Sequence, residues 1–457
     1  MNNQLLTLEQ LSEIIQPINL ILSSGGQKQC ITGISTDTRT LKEGEVFVAL
    51  RGDNFDGHNF LEIAEKKGAI ALITETIAHP NITQFQVKET LAAYQKIAHW
   101  WRQQFKIPVM AITGSVGKTT TKELLAEVLA TQGKVLKTQA NYNNEIGVPQ
   151  TLLALNPDHD YAVIEMAMRG PGEIAQLTEI ANPTIGIITN VGTAHIGRLG
   201  SVEAIALAKC ELLGKMSPDS VAILNQDNEL LMETAAKVWR GKTITYGFNG
   251  GDLSGKLINS QTLKVEGIDL PLPLPGRHNA LNYLAALAVA KVLKIDFNSL
   301  KKGISVTLPG GRSRRYELPN NVIILDETYN AGLESMIAAL KLLKETPGER
   351  HLAILGTMKE LGERSPQFHY QVGETVKSLG IDSLLLLIDD PETGEIAHGA
   401  KPIPTESFNN HETLFKRLKE IVKQGDRLLF KASHSVGLGQ VVNEFLSLYP
   451  SQEPKLF

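Results

Sequence analysis

The chain has 457 residues, more than one ordinary core holds, so two or three domains are expected. Hydrophobic residues make up 42% and charged residues 21%, the balance of a soluble globular protein. Lys and Arg total 45 against 49 Asp and Glu, a formal net charge of −4, which excludes a general attraction to nucleic acid or acidic lipid and leaves only a local basic site open.

The N-terminal stretch has no basic region followed by an apolar run, so no signal peptide is expected; Leu5, Leu8, Leu11 and Ile15 instead fall on one helical face. "EVFVAL" (45–50) and "AIALIT" (69–74) have the apolar, β-branched character of strands, and "LEIAEKKG" (61–68) is a helix between them, which makes a small βαβ unit. A helix follows near Thr90 to Phe105, and Pro108 marks a boundary before a new apolar strand. "PVMAIT" (108–113) then runs into a glycine turn and a helix starting near Lys118. "YAVIEMA" (161–167), "TIGIITNV" (184–191) and "SVAILN" (220–225) are short apolar runs of the kind buried in parallel sheets. "HNALNYLAALAVAKVL" (278–293) is a helix by length and composition, and "LPGGRSRRYEL" (308–318) is a turn followed by clustered arginines.

The last part alternates strand and helix from "NVIILDE" (321–327) to "GLGQVVNEFLSLY" (437–449), the pattern of a doubly wound sheet. The expected fold is α/β in three domains: a small α/β domain over 1–106, a central P-loop domain with a mainly parallel sheet over 107–312, and a Rossmann-like domain over 313–457. No apolar run reaches membrane-spanning length. The two cysteines, Cys30 and Cys210, are too few and too far apart for a disulfide framework or a metal-ligand set, so a reducing, cytoplasmic setting is expected.

The chemistry begins at "AITGSVGKTTTKE" (111–123). The phosphate-loop pattern is G-x-x-x-x-G-K-[ST], and counting back from Lys118 puts Ile112 where its first glycine belongs. The strand–turn–helix context is nevertheless that of a phosphate site, where free N–H groups and the positive end of the helix dipole face an anion. Gly114 and Gly117 allow close approach, Ser115, Val116 and Thr120 complete the cradle, Lys118 bridges the terminal phosphates and Thr119 offers a hydroxyl to Mg²⁺. Glu165 and His195 follow strands of the same sheet, at the carboxyl ends where α/β proteins place ligands. Taken singly, Glu165 also suits a structural salt bridge and His195 a helix cap; with the loop beside them, a metal site is the better reading. Lys209, in "AKCELL", has nothing local to distinguish it from a solvated helix lysine.

These motifs resemble the Mur ligases, the family that builds the peptide of bacterial cell-wall precursors. The resemblance is carried by "TGSVGKTTTKE", "NYNNEIGVPQTLL", "EMAMRGPGEI", "NVGTAHIGRLGS", "AKCELL", "PGRHNALNYLAA", "DETYNAGLESM" and "GTMKELGERS", with "STDTR" and "LRGDNFDGH" near the N-terminus, in the family's order over nearly the whole chain. It implies an ATP-dependent ligase that adds D-alanyl-D-alanine to UDP-N-acetylmuramoyl-tripeptide. A first domain of UDP-binding type argues against a folate substrate, and "NYNNEIGVPQTLL" against addition of the third residue.

Residue by residue, the resemblance places Ser35, Thr36, Asp37 and Arg39 near uridine, and Asn143 and Asn144 toward the diphosphate and magnesium. Thr119 and Glu165 fall on one Mg²⁺; His195 and a carbamylated lysine, matched by Lys209, fall on a second. Asn279 is placed at adenine, Arg312 at phosphate, Asp326 at ribose and Asn330 at the incoming dipeptide. A monomer is expected, with a hinge at Gly310 and Gly311. Two places depart from the family pattern: Gly332-Leu333 stands where Asn-Pro is usual, and Ala432 where a Lys-Gly-Ser motif has glycine. Alanine there requires a negative φ.

Overall fold

The structure is a computed structural model and describes residues 6–23, 28–52, 54–77 and 82–449. Leu5 and Asp53 lie outside the described residues. Leu8, Leu11 and Ile15 are all buried on the helix Leu8–Ile15, as their spacing requires.

Three main sheets follow one another along the chain. The first has five strands in the order Asn19–Ile21, Thr83–Gln86, Ala71–Thr74, Glu45–Val48, Gly33–Ser35, parallel except at Asn19–Ile21. The helix Thr90–Gln103 covers it and also leans on the second domain. Its Arg102 guanidinium, only 5% exposed, donates to the carbonyls of Ala181 and Asn182 at the end of Glu173–Ala181. Those two cationic N–H groups complement the dipole at that helix C-terminus and tie the two units together, while the third donates to the Phe105 carbonyl past the end of Arg102's own helix.

The second sheet has nine strands. Val135–Lys137, Tyr161–Glu165, Val109–Thr113, Ile185–Ile188, Val221–Asn225 and Lys242–Gly247 run parallel, and Leu253–Asn259, Thr262–Val265 and Ile268–Pro271 extend the sheet, the last two pairings antiparallel. The apolar runs lie in the centre, buried on both faces, and the helix Arg277–Val292 packs against the loop helix Lys118–Ala130 over one of them.

The third sheet has six strands in the order Arg314–Leu318, Val322–Asp326, Asp426–Lys431, Arg350–Gly356, Ser383–Leu387, Thr405–Phe408, with only the first antiparallel. The arginine cluster therefore forms an edge strand of the third sheet. Gly311 has φ +71°, and its carbonyl accepts the Tyr329 N–H at 2.9 Å, so the Pro-Gly-Gly turn is tied to the third sheet. Ala432 is fully buried and keeps a negative φ, as expected without glycine. Gly332 is extended, with φ −152°, and caps the helix Leu333–Glu345; any residue adopts that conformation, so the missing Asn-Pro leaves no strain.

Candidate active site

The site is built at the carboxyl edge of the second sheet. Val109–Thr113 lies between Tyr161–Glu165 and Ile185–Ile188, so the loops after all three strands emerge side by side. Ile112 is fully buried within its strand, and the turn begins two residues later. Gly114 has φ +150°, and a Cβ there would come within 1.9 Å of Thr189 Oγ1. Gly117, with φ +83°, caps the loop helix, and a Cβ there would meet Asn282 Oδ1 at 2.4 Å. Both positions require glycine. The next loop braces this one: Asn190 accepts the N–H groups of Ser115 and Val116 through its carbonyl and Oδ1, each at 3.0 Å, and Gly192 donates to Ser115 Oγ at 2.9 Å.

Lys118 curls over the loop and donates to the Gly114 carbonyl at 2.8 Å. Burial lowers its pKa, Glu165 works against that, and Arg312 adds to it. Thr119 Oγ1 and Asn143 Nδ2 both donate to Glu165 Oε1, at 3.1 and 2.8 Å. The other oxygen, Glu165 Oε2, is buried with no hydrogen-bond partner, and its nearest cation, Lys122 Nζ, stands at 3.8 Å. A buried carboxyl oxygen left without a donor beside a hydroxyl is what a hard cation takes up, so Thr119 and Glu165 fit a Mg²⁺ site.

The second expected set is also brought together. His195 has φ +69° and lies close enough to Lys118 and Lys209 for both to lower its pKa, after burial, which acts most. Its Nδ1 bonds Glu360 at 2.6 Å, a carboxylate of the third domain that also accepts Arg198 at 2.8 Å. Burial alone would raise the Glu360 carboxyl, but His195 and Arg198 hold it below the usual range. Lys209 is 1% exposed on the helix Val202–Lys215, and burial with the nearby Lys118 charge takes its pKa well below that of a free lysine. Among the described residues no three His, Cys, Asp or Glu side chains converge as a metal cluster.

The expected nucleotide residues gather where the second and third domains meet. Arg312 stacks on the Tyr329 ring at 3.7 Å, with Nε buried and unpartnered, near enough to Lys118 and Lys431 to lower the pKa of each. Asn279, 1% exposed, donates to the Pro275 carbonyl at 2.8 Å. Asp326 accepts from the Thr328 N–H and hydroxyl; burial nevertheless raises its pKa. Asn330 is exposed, and its Oδ1 accepts the Ala331 N–H.

In the first domain Ser35, Thr36, Asp37 and Arg39 form one turn after Gly33–Ser35, in which Asp37 takes the Arg39 guanidinium with both oxygens and is held below the usual carboxylate range by it. Tyr142 lies in the neighbourhood of that arginine, which brings the "NYNN" loop near this turn. Asn144 serves locally, with its Oδ1 on the N–H groups of Ile146 and Gly147.

Three side chains escaped sequence reasoning. Lys122, fully buried one helical turn after Lys118, donates to the Thr138 carbonyl at 2.8 Å and pairs with Glu123 at 2.9 Å. Its place on the same helix face as Lys118 is a signal that could have found it. Glu334 and Glu360 belong to the third domain but bond the second, and nothing local marks them.

Residues 30–105 match the "Mur ligase family, catalytic domain", residues 112–290 the "Mur ligase middle domain" and residues 311–434 the "Mur ligase, glutamate ligase domain". A UDP-N-acetylmuramoyl-tripeptide--D-alanyl-D-alanine ligase of Synechocystis sp. is 55% identical over 98% of this chain and 99% of its own. The Escherichia coli protein of the same name is 35% identical over 95% and 97%. Among solved structures, MurF from Acinetobacter baumannii superposes with a TM-score of 0.88 at 29% identity, covering 96% of this chain and 98% of that one. MurF ligase from Thermotoga maritima in complex with ADP gives 0.82 at 32% identity, covering 91% and 97%. With three consecutive domain matches and full-length relatives at this identity, the chain belongs to the Mur ligase family.

Proposed function

We propose that this chain joins D-alanyl-D-alanine to UDP-N-acetylmuramoyl-tripeptide with ATP, in the synthesis of peptidoglycan precursors. The observation that carries the reading is the phosphate loop facing Glu165, with Lys118, Lys209, His195 and Arg312 around it, in a chain 55% identical over 98% of its length to a ligase of that name. ATP transfers its γ-phosphoryl group to the terminal carboxylate of the tripeptide. The amine of D-alanyl-D-alanine then attacks the acyl phosphate, and the tetrahedral intermediate collapses to amide and phosphate.

Two anions meet in the first step. Lys118 and Arg312 offset their repulsion, and the loop N–H groups hold the phosphates in line. Thr119 and Glu165 would hold one Mg²⁺, and His195 with Lys209 a second; the ions supply further charge neutralisation. For Lys209 we propose carbamylation. CO₂ adds only to an unprotonated amine, and the environment of Lys209 favours that form; the product is an anionic oxygen ligand. The turn 35–39 and the adjoining "NYNN" loop bind the UDP-sugar, Asn279 and Asp326 the nucleoside, and Asn330 the dipeptide. We place the domain boundaries after residues 106 and 312, with the turn at Gly310 and Gly311 as the hinge. We set the reaction in the cytoplasm, where ATP and UDP-activated sugars are made; among the described residues no helix is long and apolar enough to cross a membrane. All three domains lie in one chain, so a monomer suffices.

The test is phosphate release from ATP with UDP-N-acetylmuramoyl-tripeptide, with and without D-alanyl-D-alanine. Release that needs both, with a product heavier by the dipeptide, is the expected result. Release that needs neither would make the chain an ATPase of another kind.

A further inference from the structure

The third domain grips one short segment of the second, Gly192–Arg198, at two points. Glu334, in the first turn of Leu333–Glu345, accepts the Thr193 N–H at 2.7 Å and its hydroxyl at 3.1 Å. Glu360 takes the His195 ring and the Arg198 guanidinium, while its carbonyl accepts the Gly197 N–H at 3.1 Å. The contact needs bare backbone. A Cβ on Gly197 would lie 2.6 Å from the Gly362 nitrogen, and one on Gly192 2.6 Å from Glu334 Oε1.

The start of the same segment is bonded to the phosphate loop through Gly192 to Ser115 Oγ, and Asn190, two residues before it on the same loop, accepts the N–H groups of Ser115 and Val116. The segment is thus a bridge with the third domain on one side and the phosphate cradle on the other. Its contacts to the third domain are polar and partly exposed, with Glu360 at 38%, the character of a surface that opens and closes. Glu360 Oε2 lies 2.6 Å from His195 Nδ1 and so fixes the direction in which the ring points.

We infer that Glu334 and Glu360 are positioning residues that form a closing latch. When the third domain swings in, Glu360 sets the direction of the His195 ring, and Glu334 draws Thr193 and Gly192 into the position that braces Ser115. Nucleotide enters the open form without them; the productive arrangement of the loop forms only on closure. The purpose of the latch rests on the ligase reading, but its existence does not.

Glu360→Ala, Glu334→Ala and Gly197→Ala in the full chain test this. Gly197→Ala removes no charge and no donor; it only props the interface apart. Each is studied by small-angle X-ray scattering with a non-hydrolysable ATP analogue and UDP-N-acetylmuramoyl-tripeptide, by binding of the analogue, and by steady-state kinetics. The expected result is a larger radius of gyration than wild type under the same ligands. A fall in kcat of about 10²-fold should accompany it. The Kd of the analogue should stay within about threefold. Wild-type compaction, or wild-type kcat, in the two glutamate variants would overturn the latch. If the wild-type protein forms no amide, the ligase reading fails separately. Scattering then decides the latch alone, with lost compaction in the variants supporting it and retained compaction overturning it.

Discussion

Replacing Lys122 with methionine isolates the electrostatics beneath the phosphate loop. Methionine keeps the unbranched stem and removes only the ammonium. That ammonium is fully buried, 2.8 Å from the Thr138 carbonyl, 2.9 Å from Glu123 and 3.8 Å from Glu165 Oε2. Removing one partner of a buried ion pair costs about 3–5 kcal/mol. Glu123 keeps Lys137 at 2.6 Å, and Glu165 keeps its two donors on Oε1, so the loss falls at the lower end, about 3 kcal/mol. At ~2–4 °C per kcal/mol for a domain of this size, the melting transition that contains the loop should drop by about 6–12 °C.

The control is Lys137→Met, which strips the same Glu123 of a partner that is 28% exposed. Solvent screens that pair, and its removal should cost no more than about 1 kcal/mol. Scanning calorimetry reads both. The reasoning fails if Lys122→Met melts within about 1 °C of wild type, or if Lys137→Met is the more damaging of the two.

Lys118→Ala should abolish amide formation while the chain stays folded; wild-type turnover at saturating ATP would remove Lys118 from the chemistry. Lys209→Arg cannot form a carbamate and should be nearly inactive. Lys209→Ala should regain activity with added acetate or formate, and no rescue by any short carboxylate would leave the carbamate without support. Burial, with the Lys431 charge, takes the partly exposed His278 ring down to about 4, below its ordinary 6.5. Between those two values the unfolded chain binds a proton that the folded chain does not, so stability falls as pH drops from 6.5 toward 4. In His278→Gln the difference in urea midpoint between neutral and mildly acid pH should shrink, and an unchanged difference would refute the assignment.

The central strands were legible because continuous apolar runs such as "VMAIT" and "AILN" suit burial on both faces. The edges were not. Leu253–Asn259 alternates buried and exposed residues before its bulge, and Arg314–Leu318 carries two arginines that mask a strand beside Val322–Asp326. The helix that carries "YQVGETVKSLG" (370–380) starts earlier, at Ser365, with Pro366 in its first turn, where a missing N–H costs nothing. The loop, Glu165 and His195 could be placed from local pattern, since each follows a strand of one sheet. Lys209 could not; its distinguishing property is the absence of solvent, which is set by tertiary packing. Glu334 and Glu360 were invisible for another reason. Their partners lie 141 and 165 residues away in the sequence, and the pairings appear only when the third domain is docked.

The missing glycine of the phosphate loop connects these observations. Ile112 lies in register between Glu165 and Ile187 and is fully buried, so a glycine there would leave a cavity in the central sheet. The turn starts at Gly114 instead, two residues later, and the loop has that much less chain with which to shape itself. Part of its hydrogen bonding is supplied from outside, by Asn190 and Gly192 on the neighbouring loop. A shortened loop braced by its neighbour takes its geometry from that neighbour, and the neighbour is the segment held by the third domain. Substituting Ile112 by glycine should therefore destabilise the central core without restoring an independent loop, because the braces at Ser115 and Val116 would still be needed. The departure from the general pattern is what makes the phosphate site responsive to where the third domain stands.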